Sequence, residues 1–94
     1  MKKFVYPAVV YYDEDNKIYL MYIDELGIGG DGLTMEECNS SLCNALMNYV
    51  ITALRYDLDI PAPQEYESVV KNNSNNKVML ISIDIDERKI KKLA

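Results

Sequence analysis

The chain has 94 residues, enough for one small domain, and its 15 acidic residues against 10 Lys and Arg residues give a net charge of −5. This acidity disfavours a nucleic-acid partner and makes a basic protein partner electrostatically easier, while the alternative is that the charge only keeps the protein in solution. The sequence has no histidine, which excludes sites built on the commonest general base and metal ligand. We predict no enzyme activity, no catalytic residues, no metal and no cofactor.

The cysteines and the apolar segments indicate where the protein resides. Cys38 and Cys43 fall on different faces of a predicted helix, so they cannot form a disulfide with each other. The sequence opens without a signal peptide, and no apolar run is long enough to cross a membrane. We therefore predict a cytoplasmic protein with reduced thiols that does not associate with membranes.

Two aromatic and β-branched segments at the start of the chain predict a β-hairpin. Residues 3–12 form its first strand, residues 13–16 its turn and residues 17–24 its second strand. Both strands are apolar on both faces, whereas a sheet with one solvated face alternates more cleanly. Something must therefore cover the second face, either this chain or another.

A long amphipathic helix is predicted after a glycine-rich stretch and a short third strand. Thr34 and Glu37 form the pattern T-x-x-E, a capping box in which the Thr34 hydroxyl bonds the Glu37 N–H and Glu37 reaches back to Thr34. Apolar residues then recur at three- and four-residue steps until the helix ends near Tyr56. Pro61 and Pro63 prevent its continuation.

The C-terminal third predicts one more strand. Residues 64–77 include an asparagine-rich stretch and are predicted to be a mobile loop, residues 78–86 a last strand, and residues 87–94 a short basic tail. The fold class is α+β with the order β-β-β-α-β. Residues 1–94 form a single domain with its core in residues 3–63, and no separate DNA-binding domain is expected.

The glycine-rich stretch allows two interpretations, since Gly27, Gly29 and Gly32 match the dinucleotide-binding pattern G-x-G-x-x-G. Phosphate binding requires the glycines to open the helix, but here the cap follows them. Asp31, Glu36 and Glu37 surround the helix start, and no Lys or Arg lies between Lys17 and Arg55. We therefore favour structural roles, with Gly27 and Gly32 shaping the loop and Thr34 and Glu37 capping the helix.

The candidate partner-binding residues are on the hairpin. We predict that Tyr11, Tyr19 and Met21 share one face of the sheet, where tyrosines suit a protein interface. The acidic tip formed by Asp13, Glu14 and Asp15 could steer a basic partner. The alternatives are cross-strand core packing for the tyrosines and a solvated turn for the tip.

The same stretches resemble a known family of bacterial toxin–antitoxin proteins. The segment from Gly27 through Gly32 to Cys38 resembles the G-x4-G-x-T-x-E-E-A signature of HicB-type antitoxins. "YPAVV" at residues 6–10, Asp24, Tyr49 and "IPAP" at residues 60–63 match in order and without gaps, so the resemblance covers residues 5–63. Ile23 and Leu26 depart from the family, which has prolines there.

The resemblance implies a three-stranded antiparallel sheet with one long helix and a final strand, a partial RNase H-like fold. It also implies an antitoxin that binds a small basic HicA-type toxin, an mRNA-cleaving ribonuclease, and covers its active site. Many family members continue into a DNA-binding domain. Only residues 87–94 follow the last predicted strand here, so direct DNA binding is doubtful for this chain.

Two other functions remain open at this stage. The first is a self-associating structural module without a toxin partner, which forms a homodimer or higher homo-oligomer through the apolar edge strand "VMLISI". The second is a carboxylate-dependent nuclease that uses Asp24 and Asp31. The acidic residues near the glycines could also be proposed as a metal site, but the sequence cannot show that their oxygens converge.

Overall fold

The computed structural model describes residues 1–93 and contains a four-stranded antiparallel sheet with the strand order β3-β2-β1-β4. The elements are β1 (Lys2–Asp13), β2 (Ile18–Ile23), β3 (Ile28–Gly32), α1 (Met35–Arg55), α2 (Tyr66–Asn72) and β4 (Lys77–Ile85). The predicted α+β class is confirmed, and the C-terminal strand joins the sheet beside β1 as its fourth member.

Helix α1 begins at a capped N-terminus and covers one face of the sheet. The Thr34 hydroxyl accepts a hydrogen bond from the Glu37 N–H at 3.1 Å, as T-x-x-E predicts. The Glu37 carboxylate accepts from the Leu33 N–H at 2.9 Å, one residue earlier than the expected bond to Thr34. We call the covered side the helix face; its core includes Tyr6, Ala8, Met21, Ile23, Leu42, Leu46, Val50, Ile81 and Ile83.

The glycines of β3 allow α1 to approach this strand closely. A Cβ atom added to Gly30 would lie 2.5 Å from the backbone N of Leu42, and one added to Gly32 would lie 2.4 Å from the backbone N of Cys38. Any larger residue would push the helix off the strand. Gly27 has a different role: its φ of 63° is left-handed, and it closes the short 3-10 turn Asp24–Leu26.

The segment predicted as a mobile loop at 64–77 contains helix α2, so that prediction is wrong for its central part. Tyr66, Val69 and Val70 give this helix apolar residues at three- and four-residue steps, and Val69 is buried against Val9 and Val78. The polar composition of the asparagine-rich stretch led to the loop prediction, although these few apolar residues precede it. Most of those asparagines lie in the turn between α2 and β4.

The C-terminal tail returns toward α1. Asp86 accepts hydrogen bonds from the Arg88 guanidinium at 3.0 Å, which lowers the pKa of its carboxyl. Ile90 packs against the core, and the Leu93 N–H donates to the Arg55 carbonyl at 2.7 Å. The residues that follow β4 therefore lie against the end of α1, and β4 remains at the edge of the sheet.

Candidate protein-binding surface

The register of the hairpin decides which tyrosines share a face. Tyr12 is paired with Tyr19, and Tyr11 with Leu20. Paired residues of antiparallel strands point to the same face, and successive residues alternate. Tyr11 and Tyr19 therefore lie on opposite faces, which corrects the prediction that they share one. The turn occupies residues 14–17, one position later than expected.

Two of the predicted partner-binding residues belong to the helix face. Met21 is fully buried beneath α1, so it cannot contact a partner while the fold is intact. Tyr19 is half-buried, packs against the core and lies 4.8 Å from the Tyr12 ring, measured between ring centroids. Met21 is therefore part of the core, and Tyr19 packs against it. Core packing was the alternative to an interface role that we considered for the hairpin tyrosines.

The opposite face of the sheet, which we call the open face, keeps exposed aromatic residues. The Tyr11 and Tyr22 rings pack edge to face with their centroids 5.8 Å apart. Tyr11 is 37% exposed and Tyr22 is 41% exposed, and Leu20 lies between them across the strands. We call Tyr11, Leu20 and Tyr22 the tyrosine patch. Leu20 and Tyr22 were not among the predicted partner-binding residues, although both alternate along β2 with the buried Met21 and Ile23.

Gly29 provides the space in which the Tyr22 ring lies. The two residues are paired across β2 and β3, and a Cβ atom at Gly29 would come within 2.8 Å of the Tyr22 ring. A groove of about 320 Å³ borders the ring and is lined by Leu20, Tyr22, Gly29, Gly30, Asp31 and Ser41. The Ser41 hydroxyl accepts from the Asp31 N–H at 3.3 Å, so α1 closes the outer edge of β3 there.

The acidic hairpin tip is organised by one of its own carboxylates. Asp13 accepts hydrogen bonds from the backbone N–H groups of Asp15 and Asn16 at 3.0 and 3.1 Å. The Asn16 side-chain amide donates to the same carboxylate at 2.8 Å and is the main reason that the pKa of Asp13 is lowered. Asp13 thus shapes the turn, while Glu14 and Asp15 are exposed to solvent.

Acidic residues are concentrated in one part of the molecule. Residues 13–67 hold twelve of the carboxylates but only two cations, Lys17 and Arg55. Within residues 1–93, the ion pairs involve the carboxylates of Asp57, Asp84, Asp86 and Glu87. The side of the molecule built from β2, β3 and the start of α1 is therefore acidic, and its carboxylates have no cation within 4.0 Å in the described part of the chain.

Asp24 and Asp31, the two carboxylates of the alternative nuclease site, lie apart in the fold. Asp31 is paired with Leu20, and Asp24 follows β2 four positions further along, which separates the backbone positions of the two residues by roughly 13 Å at 3.3 Å per residue. In residues 1–93 no cluster of three or more Asp, Glu or Cys side chains is arranged to hold a metal ion.

The glycines of the nucleotide-binding pattern do not form a phosphate-binding loop. Gly29 and Gly32 belong to β3, and α1 begins only after Thr34. The motif therefore belongs to an edge strand under a helix rather than to a loop that opens one. Among the helices of residues 1–93, none combines the length and the apolar character needed to span a bilayer.

Comparison with known proteins identifies the fold. No protein-family model matches the chain, and no curated protein is significantly similar to it in sequence. The crystal structure of the Burkholderia pseudomallei antitoxin HicB is similar over 96% of this chain and 69% of that one, with a TM-score of 0.77 and 18% identity. The N-terminal domain of the same antitoxin is matched over its full length by 87% of this chain, with a TM-score of 0.76 and 19% identity. The resemblance first suggested by the sequence is therefore confirmed in three dimensions: the chain has the fold of a HicB-type antitoxin.

Proposed function

We propose that this protein is an antitoxin that binds a small basic toxin, a ribonuclease of the HicA type, and inhibits it by covering its surface. The observation that carries the proposal is the tyrosine patch, which neither α1 nor α2 covers. The HicB-type fold supports the same assignment. Contact rather than chemistry is the basis of this function, so it requires no catalytic residue.

The patch has the composition of a protein interface. Tyrosine contributes a large rigid ring at a small cost in conformational entropy, and its hydroxyl can bond a partner that covers the ring. The Tyr11–Tyr22 contact holds both rings in place before any partner arrives. Such preorganisation reduces the entropy lost on binding.

The surrounding charge gives the patch a preference for a basic partner. Asp31 lies beside Leu20 on the open face, and Glu14 and Asp15 extend from the hairpin tip. Unpaired carboxylates around an apolar centre attract cationic proteins and accelerate their encounter. The partner we propose is a small basic protein, and we expect its gene to lie beside the gene of this protein.

The toxin and this protein would meet in the cytoplasm, where messenger RNA is the toxin's substrate. The cysteines are consistent with that compartment, because Cys38 is buried and Cys43 half-buried, and neither forms a disulfide. Direct binding to DNA and association with membranes are not part of the proposal.

The test compares two exposed tyrosines on opposite faces. Tyr22 is 41% exposed on the open face, and Tyr12 is 45% exposed on the helix face. We expect Tyr22→Ala to weaken binding of the co-encoded basic protein by roughly 30-fold, a typical loss at an aromatic hot spot, and Tyr12→Ala to change it little. Isothermal titration calorimetry measures both. Equal losses in the two variants, or no complex with the wild-type protein, would contradict the proposal.

A further inference from the structure

The groove beside Tyr22 extends the tyrosine patch around the outer edge of β3. Its volume is about 320 Å³, and the residues that line it come from β2, β3 and α1. Gly29 and Asp31 share the open face of β3, where they are paired with Tyr22 and Leu20 of β2. Gly29 has no side chain to fill the space next to the Tyr22 ring. The groove therefore has an aromatic wall and a carboxylate about 7 Å apart along the strand.

The backbone of β3 adds two hydrogen-bond acceptors on the side of the groove. The Asp31 N–H points away from β2, because it donates to the Ser41 hydroxyl of α1 at 3.3 Å. In an antiparallel ladder, the N–H and C=O of one residue point to the same side, as do those of the residue two positions away. The carbonyl oxygens of Gly29 and Asp31 therefore also point away from β2. Within residues 1–93, neither oxygen accepts a hydrogen bond from the chain.

The Asp31 side chain completes a set of acceptors that carries a negative charge. Asp31 is exposed, and in the described part of the chain its carboxylate has no cation within 4.0 Å and no hydrogen bond. The donors nearby are the Gly29 N–H and the Ser41 O–H, and both are neutral. A carboxylate and two carbonyl oxygens beside an aromatic ring match a cation that has several N–H donors.

We propose that this groove binds an arginine side chain of the basic toxin, with the guanidinium on the Asp31 carboxylate and the stem of the side chain along Tyr22. This inference rests on the proposed function. Arginine fits better than lysine, because its planar guanidinium has five donors, pairs with a carboxylate through two hydrogen bonds and stacks on aromatic rings. The Gly29 carbonyl would accept one of the remaining donors.

The position of the groove makes Asp31 a specificity-determining residue. An ion pair that stays exposed to water contributes little to binding. A toxin that covers the tyrosine patch also excludes water from the adjoining groove, and a charged group that loses its partner inside an interface weakens binding strongly. Asp31 therefore selects a partner that presents an arginine next to the apolar surface that covers Tyr22.

Two exposed aspartates give a matched test. Asp31→Asn keeps the size of the side chain, and Asp59→Asn is the control, since Asp59 follows the end of α1 and has no ion pair in residues 1–93. Each variant removes one charge from the net −5, so long-range attraction falls equally in both. Calorimetry with the co-encoded basic protein should show binding at least roughly 30-fold weaker for Asp31→Asn, and no more than roughly threefold weaker for Asp59→Asn.

The outcomes separate this proposal from the proposed function. Equal losses in the two variants, or wild-type affinity in Asp31→Asn, would overturn the role of the groove while the complex itself supports the antitoxin function. No complex with the wild-type protein would overturn both.

A second measurement uses the wild-type chain and does not depend on the folding of a variant. The basic protein, isotope-labelled at its arginines, should show one Nε–H signal that shifts and exchanges more slowly with water in the complex. The same signal should return to its free position and exchange rate in the complex with Asp31→Asn but not in the complex with Asp59→Asn. A complex in which every arginine Nε–H signal is unchanged would overturn the proposal.

Discussion

Helix α1 covers the central part of the helix face of the sheet, whereas the open face has only the short helix α2 over one corner. Both faces carry tyrosines, aliphatic side chains and few charges in β1 and β2. Tyr19 packs into the core, while Tyr11 and Tyr22 remain accessible. Coverage by a helix, rather than composition, therefore decides which residues of this sheet are buried and which remain accessible.

The largest expected effect is a loss of stability when a leucine of the core, rather than a leucine of the open face, is shortened. Leu42 is fully buried between α1 and the sheet, and Leu80 is exposed. Leu42→Ala should lower the free energy of unfolding by about 2–5 kcal/mol, since it removes packed atoms and leaves a cavity. Chemical denaturation of Leu42→Ala measures this loss. Leu80→Ala is the control and should cost less than half as much; equal losses would mean that the open face is also part of the core.

The next effect concerns the corner that α2 covers. Val69 is 6% exposed and packs on Val9 and Val78. Val69→Ala removes two buried carbons, which we expect to lower the free energy of unfolding by about 1.5 kcal/mol. Hydrogen exchange should show faster opening of residues 66–72 in this variant. The neighbouring exposed Val70 provides the control, and an unchanged exchange rate in Val69→Ala would mean that α2 does not depend on this contact.

A smaller effect is expected at the tyrosine patch, the partner-binding surface that we propose. Gly29→Ala places a methyl group 2.8 Å from the Tyr22 ring and 3.1 Å from the Met21 carbonyl oxygen, so the ring must rotate away. The variant should retain its thermal stability but bind the basic protein about tenfold more weakly, since the preorganised ring is displaced. Calorimetry and thermal unfolding measure the two quantities. Unchanged binding with a displaced ring would show that the tyrosine patch is not the interface.

The smallest effect concerns pH at the hairpin tip. Hydrogen bonds from Asn16 lower the pKa of Asp13 below its ordinary value of 3.8. A carboxylate with a lowered pKa in the folded state stabilises the fold above its ordinary pKa, and this stabilisation is lost as pH falls through the folded-state pKa. Asp13→Asn should therefore unfold with a shallower dependence on acidic pH than the wild type, as followed by circular dichroism. An identical slope would exclude this contribution.

Much of the architecture could be predicted from local sequence. Thr34 with Glu37 marked the start of α1, and the proline pair after it marked its end, because capping and the loss of an N–H act within a few residues. Helix α2 was missed because its apolar stripe is only one turn long. Its stability depends on Val9 and Val78, which are distant in sequence.

The face assignments on the hairpin were predicted incorrectly, although the length of the turn decides them. Only a turn with an odd number of residues would put Tyr11 and Tyr19 on the same face, whereas the expected turn at 13–16 and the observed turn at 14–17 both contain four residues. The four-residue turn pairs Tyr12 with Tyr19 and leaves Tyr11 with Leu20. The sequence thus predicted a tyrosine-bearing surface on the hairpin, but the identity of its members depended on the register.

The most direct test of the account is nuclear magnetic resonance of the tyrosine rings during titration with the co-encoded basic protein. The account predicts large changes at the ring signals of Tyr11 and Tyr22, with little change at Tyr12 and Tyr56. Changes confined to Tyr12 or Tyr56, with the rings of Tyr11 and Tyr22 unaffected, would contradict it.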